Sequence, residues 1–172
     1  MTPGVLRVMR TGGTPLNLAT RQPGSPSNVT LSATHVYWVN SEPGKQHIIM
    51  GLRKGGGAVT TMATVPDAET GGVPALASDD SSLFYKTRTA IMRVGAEGGV
   101  TVKFASVPDS ESSHLAIDSR HLYFNGPQGP MRLGLSGGPA SHVGQGPGQS
   151  IAVDSQAVYW LSAGNVIQLP KR

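Results

Sequence analysis

The chain has no cysteine. Disulfides, thiolate zinc sites and cysteine nucleophiles are therefore excluded. Aromatic residues are scarce, with two Trp, four Tyr and three Phe in 172 residues. No apolar run approaches the roughly 18 residues that a membrane-spanning helix needs. The first residues, MTPGVLRVMR, lack a basic stretch followed by an apolar one, so no signal peptide is visible in them. Charge is also sparse: 14 Lys and Arg against 10 Asp and Glu give +4. A nucleic-acid binder usually concentrates far more positive charge in one patch. What the chain does have is Gly, at 23, and Pro, at 13. Both are poor helix formers, which rules out a long helical bundle. The absence of a strict G-X-Y period rules out collagen.

The few aromatics are not scattered. Eight of them fall into the pairs Tyr37-Trp38, Phe84-Tyr85, Tyr123-Phe124 and Tyr159-Trp160, leaving only Phe104 outside. The first members of successive pairs are 47, 39 and 36 residues apart. The residues before each pair align without gaps: VTLSATHVYW from Val29, LASDDSSLFY from Leu76, LAIDSRHLYF from Leu115 and IAVDSQAVYW from Ile151. A second block follows each pair and also precedes the first: VLRVMRTGG from Val5, IIMGLRKGG from Ile48, IMRVGAEGG from Ile91, PMRLGLSGG from Pro130 and VIQLPKR from Val166.

Each repeat reads as four short strands. The LAID-type run is the first, and the run through the aromatic pair is the second, where β-branched and aromatic residues suit a strand. The MRL-type run is the third. Gly-Gly then supplies positive φ for a turn into the fourth. Tandem four-stranded units of about 40 residues predict an all-β fold of the β-propeller class, with four antiparallel blades. The repeats fall at 29–74, 75–114, 115–150 and 151–172, the last completed by 1–28, within one domain or fragment over 1–172. Stacked blades bury both faces of their middle strands, which explains why adjacent residues such as Val158, Tyr159 and Trp160 are all apolar or aromatic. A β-sandwich, the competing fold, would not need such alignable repeats.

The motif I/L-A-V/I-D-S-x-x-V/L-Y-W/F, followed by an MR-L/V strand and Gly-Gly, resembles the YWTD repeat of LDL-receptor class B propellers. It is also similar to the NHL repeat. Val39-Asn40 and Leu161-Ser162 stand where the YWTD family has Thr-Asp. The resemblance is to a bacterial relative with little Lys and much Gly, Pro and Ala. It implies an extracytoplasmic module that binds ligands or serves as a scaffold.

The ends carry unequal parts of a blade: a third and fourth strand from Val5 to about Ala19, and a first, second and third strand from Ile151. Two arrangements follow. The strand of Tyr159 pairs with that of Val5 and closes a small ring, or the repeats form an open arc belonging to a larger ring. The open arc is the expectation here, and its uncovered apolar faces invite self-association.

Candidate sites each have a plain structural alternative. The loops VPDAE and VPDSE place Asp67, Glu69, Asp109 and Glu111 at equivalent positions on one rim. Several oxygens close together suit calcium, or the four acids dock a basic partner beside His114; the plain reading is two solvated loops, as no calcium-loop signature is present. Asp79, Asp118 and Asp154 recur in one column with Ser32, which reads as turn capping. Eight basic residues lie in the third-strand blocks: Arg7, Arg10, Arg53, Lys54, Arg93, Arg132, Lys171 and Arg172. They would ring the molecule with positive charge, or simply solvate blade edges. His35 and His121 share a column, and His47 and His142 stand alone. No HExxH, G-x-S-x-G or phosphate-loop motif occurs, and no nucleophile is seen with a base beside it. The function expected is a non-catalytic binding or scaffold propeller for a protein or carbohydrate, without nucleic acid and without a cofactor beyond the calcium considered above. The alternatives are a lactonase- or lyase-like enzyme working in the central channel, and a structural repeat appended to a larger protein.

Overall fold

Turn chemistry sets the strand boundaries. In the computed structural model, which describes residues 4–42, 44–110 and 114–171, the next-to-last glycine of each glycine run that follows a third strand donates its N–H to the carbonyl three residues back. The pairs are Gly12 to Met9, Gly56 to Arg53, Gly98 to Gly95 and Gly137 to Gly134, each at 2.9 Å. The last glycines, Gly13, Gly57, Gly99 and Gly138, have φ of 115°, 129°, 110° and 101°, a region that strains other residues. A Cβ on any of these four would meet nothing within 4 Å. The glycines are there for backbone conformation, not for space.

The strands so bounded are β1 (Gly4–Arg7), β2 (Leu16–Thr20), β3 (Ser25–Leu31), β4 (His35–Glu42), β5 (Gln46–Arg53), β6 (Thr60–Pro66), β7 (Leu76–Ser78), β8 (Ser82–Lys86), β9 (Ala90–Gly95), β10 (Val102–Ser106), β11 (Leu115–Ile117), β12 (His121–Gly126), β13 (Gly129–Gly134), β14 (Ser141–His142), β15 (Ile151–Val153), β16 (Ala157–Ser162) and β17 (Asn165–Pro170). A single-turn helix, α1 (Asp67–Thr70), follows β6. The sheets are β1-β2, β3-β4-β5-β6, β7-β8-β9-β10, β11-β12-β13-β14 and β15-β16-β17, all antiparallel. Consecutive inner strands β3, β7, β11 and β15 lie side by side, so the sheets fan out as blades. The β3 blade is called A here, the β7 blade B, the β11 blade C and the β15 blade D.

Register is the same in every blade. Thr30, Ala77, Ala116 and Ala152 stand opposite Tyr37, Phe84, Tyr123 and Tyr159. The first aromatic of each pair faces the next blade, and the second faces the preceding one. Thus Tyr37, Val39 and Ile49 of A pack on Leu76, Leu83, Tyr85 and Val94 of B. Ala77, Phe84 and Ile91 of B pack on Leu122, Phe124 and Leu133 of C. Tyr123 of C packs on Ile151 and Val158 of D. On the other side of A, Val36, Trp38 and Leu52 pack on Ala19, Leu18 and Val5 of the β1-β2 hairpin. Phe104, the aromatic outside the pairs, meets Phe84 edge-on at 5.3 Å.

The ring is not closed. The neighbour of β1 is β2, and β16 lies between β15 and β17. The β16–β1 pairing that would close a small ring is not formed, because β17 folds back through the Ala163-Gly164 turn and takes that edge of β16. The arc therefore ends on a face where Tyr159, unlike the other paired aromatics, is only half-buried. Among the described residues no helix is long and apolar enough to cross a membrane.

Candidate functional site

The recurring carboxylates are built into turns. Asp79 Oδ1 accepts the N–H groups of Ser81 and Ser82 at 2.8 and 2.7 Å. Asp118 Oδ1 accepts those of Arg120 and His121, both at 2.8 Å. Asp154 Oδ1 does the same with Gln156 and Ala157 at 2.7 and 2.8 Å. Ser32 Oγ accepts from Thr34 and His35 at 3.3 and 3.1 Å. Each side chain serves N–H groups that the chain reversal leaves without a strand partner. These caps lie on the rim where first strands end.

On the opposite rim stand the residues of the VPDAE and VPDSE loops. Asp67 opens α1 and meets His47 Nε2 at 2.9 Å. Asp109 forms a two-pronged pair with Arg88, both contacts at 3.1 Å. This guanidinium hydrogen bond holds the Asp109 carboxyl below its ordinary pKa. The Glu69 backbone carbonyl accepts the Arg88 N–H at 2.8 Å. Glu111 lies outside the described residues. Among the described residues no three Asp, Glu or His side chains converge as metal ligands do.

The same rim brings together three groups that the sequence left apart. Ser41 Oγ lies 3.0 Å from His47 Nδ1, and Asp67 Oδ1 lies 2.9 Å from Nε2 of the same ring. Both ring nitrogens of His47 are thus engaged, one by the serine hydroxyl and one by the carboxylate. The expectation of no nucleophile with a base beside it is thus corrected: Ser41 and His47 are directly paired across β4 and β5, and Asp67 approaches from the end of β6. A second imidazole is held alike. His35 Nδ1 meets Thr34 Oγ1 at 2.8 Å, and its Nε2 is 3.5 Å from Glu97. Both histidines are only 4% exposed. A hydroxyl on one side and a carboxylate on the other satisfy a buried imidazole, as buried polar atoms require.

Lys86 departs from its column, where the other blades have Val39, Asn125 and Leu161. It is 3% exposed. Its Nζ donates to the carbonyls of Thr87 and Ser110 at 3.1 and 2.7 Å. Ser110 Oγ in turn donates to the Asn125 carbonyl at 3.0 Å, so the loop between B and C is tied to both blades. Burial pushes the Lys86 ammonium down to about 8, against the attraction of Asp109. In the unfolded chain it titrates near 10.5. Between those values the unfolded chain holds more protons, so stability rises with pH there. We expect a gain of about 2 kcal/mol from pH 8 to pH 10, since one pK unit is worth about 1.4 kcal/mol. Above pH 10 the sign reverses, because burial raises Tyr37, Tyr85 and Tyr123, the last to about 12. Urea unfolding across this range checks it: Lys86→Met should flatten the rise, and an unchanged rise would assign it to another group.

A cleft of about 540 Å³ opens between blades C and D. It is bordered by Asp118, His121, Tyr123, Arg132, Asp154 and Lys171. Lys171 Nζ donates to Asp118 Oδ2 at 2.6 Å and lies 5.7 Å from the Tyr123 ring centre. The Tyr123 and Tyr159 hydroxyls donate to Asp118 and Asp154 at 2.9 and 3.1 Å. Of the other third-strand basic residues, Arg53 pairs with Glu97 at 2.5 and 3.1 Å, Lys54 donates to the Ser32 carbonyl, and Arg93 sits 5.6 Å over the Phe104 ring. Arg172 lies outside the described residues. Arg7 and Arg10 are exposed, as is His142. Four of the eight third-strand cations, Arg53, Lys54, Arg93 and Lys171, are thus engaged in local contacts.

No protein-family model matches the chain, and no curated protein matches it. Solved structures do. A chain of the nidogen/laminin complex aligns over 97% of this chain and 67% of its own, with TM-score 0.71 and 17% identity. A gluconolactonase from Xanthomonas campestris aligns over 87% of this chain and 57% of its own, with TM-score 0.66 and 16% identity. The puromycin hydrolase S511A mutant aligns over 91% of this chain and 28% of its own, with TM-score 0.67 and 14% identity. The fold is an open β-propeller. At these identities the likeness is one of fold alone, and this chain spans little more than half of the lactonase.

Proposed function

We propose that the chain is a non-catalytic binding or scaffold propeller module whose ligand is a protein or a carbohydrate. One observation carries this reading: the groups that catalysis would draw on are committed to holding the fold. Asp79, Asp118 and Asp154 cap turns, and His35 and His47 are sandwiched between hydroxyl and carboxylate. The inner strands, SPSNVTL, LAS, LAI and IAV, carry no acid, base or histidine. The cleft between C and D, with its mixed charges and a tyrosine ring, is the surface that fits a hydroxyl-rich or polar ligand. Oligosaccharide arrays followed by amide chemical-shift mapping test this. Binding that shifts Tyr123 and Arg132 and is lost in Arg132→Ala supports it; binding that ignores Arg132→Ala sinks the cleft.

A second reading rests on Ser41, His47 and Asp67, a nucleophile, base and orienting acid within hydrogen-bond reach. It makes the chain a serine hydrolase of ester or lactone substrates. The buried imidazole and its twin at His35 weigh against it. A fluorophosphonate probe decides: labelling at Ser41 that disappears in His47→Ala would favour hydrolysis over binding.

A further inference from the structure

The joint between blades C and D is open where the other joints are shut. Leu52, Val94, Leu133 and Leu169 hold one column of the third strands, opposite Val36, Leu83, Leu122 and Val158. The first three are 4%, 1% and 0% exposed, but Leu169 is 40% exposed. The cause lies in the fourth strand of the blade before. Thr61, Lys103 and His142 stand opposite Met50, Met92 and Met131. The residue after each is Met62 in A, Phe104 in B and Val143 in C. Met62 packs in one cluster with Val94, and Phe104 in one with Leu133. Val143 is smaller, and it borders with Leu169 a cavity of about 340 Å³. That cavity shares Tyr123, Arg132 and Lys171 with the cleft beside Asp118. It shares His142 with a further cavity of about 400 Å³, bordered by Gln128, Gln145 and Gly146. The three form one groove along the joint.

The same replacement frees a cation. Arg93 and Arg132 hold one column, opposite Phe84 and Tyr123. The Arg93 guanidinium lies over the Phe104 ring, and blade C has Val143 in place of that ring. Arg132 is exposed, and among the described residues its side chain makes no hydrogen bond or ion pair. The same holds for the side chain of Arg120, at the rim of the cleft. The acids of the groove are already engaged. Asp118 accepts from Arg120, His121, Tyr123 and Lys171, and Asp154 from Gln156, Ala157 and Tyr159. Two guanidinium forks are therefore open to an outside acceptor. Gln128 and Gln145 carry amides that both donate and accept, as sugar hydroxyls do. We propose that the groove binds an acidic glycan, with sugar carboxylates on Arg132 and Arg120 and hydroxyls on Gln128, Gln145 and His142. This rests on the reading of the chain as a carbohydrate-binding propeller and names the class of sugar. The guanidinium fork matches a planar carboxylate. Asp118 and Asp154 keep their negative charge at the same edge, with pKa values held below the ordinary range. They repel a doubly charged phosphate ester more than a singly charged carboxylate.

Calorimetric titration of the 172-residue chain with short uronate oligosaccharides tests this. The panel holds galacturonate, mannuronate and glucuronate-containing oligomers, each beside its methyl ester. An acid oligomer should bind, and more weakly as salt is raised. Its ester has the same backbone without the charge, and should bind about tenfold more weakly or worse, the loss of a charge-assisted hydrogen bond. Arg132→Gln, at an exposed side chain, should weaken the acid oligomer by a similar factor and leave the ester unchanged. Val143→Phe should give the C–D joint the cover that Phe104 gives the B–C joint. It should abolish binding while circular dichroism shows the fold intact; should it fail to fold, Arg132→Gln still decides. Acid and ester bound equally well overturn the proposal. So does acid binding unchanged in Arg132→Gln, or no binding of any acid oligomer. Neutral oligosaccharides that bind, and are lost in Arg132→Ala, would keep the groove as a carbohydrate site and remove only its choice of acids.

Discussion

Asp118→Ala should lower the stability of the chain by about 3 kcal/mol at neutral pH. Four donors depend on this one carboxylate: the N–H groups of Arg120 and His121, the Tyr123 hydroxyl and the Lys171 ammonium. Alanine leaves the two backbone donors and a mostly buried tyrosine without an acceptor, at about 1–3 kcal/mol for a buried group stripped of its partner. Asp79 has only local partners, Ser81 and Ser82, in these bonds, so Asp79→Ala should cost less, about 1 kcal/mol by analogy with other side-chain caps. Burial raises the Asp118 carboxyl, but the bonds from Lys171, Arg120, His121 and Tyr123 outweigh it and hold the group well below the usual carboxylate range. A depressed folded pKa gives stability that is complete above the unfolded value near 4 and fades as pH falls through the folded one. The gap between wild type and Asp118→Ala should therefore be widest above about pH 5 and narrow in acid. Urea unfolding at neutral pH and near pH 3 measures both. A gap that does not change with pH would mean that the charge of Asp118 contributes nothing.

The difference between Asp118 and Asp79 also marks how far the sequence is legible. The cap is local: an Asp or Ser and the amides it serves lie two and three residues apart, so the column of Asp79, Asp118, Asp154 and Ser32 announces it. The Gly-Gly turns are local in the same sense, and the aromatic pairs are periodic, which made blade count and register readable together. Lys171 reaching Asp118 across 53 positions is not local. Nor is the meeting of Ser41, His47 and Asp67. Ser41 and His47 come together only because the β4–β5 register sets them opposite each other, and Asp67 only because β6 ends beside them. The signal that did exist was His47 within an otherwise apolar third strand, a buried polar group that had to find partners. Lys86 gave a similar signal, a cation in a column otherwise held by Val39, Asn125 and Leu161. The half-exposed face of Tyr159 is a different case. Its repeat is intact, but burial there depends on what lies beyond blade D, which the repeat pattern does not encode.

Phe124→Ala should be among the most damaging single changes in the chain, at about 3–5 kcal/mol, the usual range for deleting a fully buried phenyl group. Phe124 is 0% exposed and packs with Ala77, Phe84, Ile91, Leu122, Met131 and Leu133. These residues come from two blades, so the ring is part of the joint between B and C as well as of β12. Collapse around the hole is restricted on both sides. Leu122 and Leu133 are pinned by the β12–β13 ladder, and Phe84 and Ile91 by the β8–β9 ladder. Phe124→Leu keeps most of the volume and should cost much less, about 1–2 kcal/mol. Val100→Ala, at a side chain 84% exposed, should change stability by less than about 0.5 kcal/mol. Hydrogen exchange tells where the loss falls. If the joint transmits it, amides of β8 and β9 lose protection together with those of β12 and β13. Loss confined to β12 and β13 would show that blades B and C open independently, and that each sheet, not the stack, is the cooperative unit.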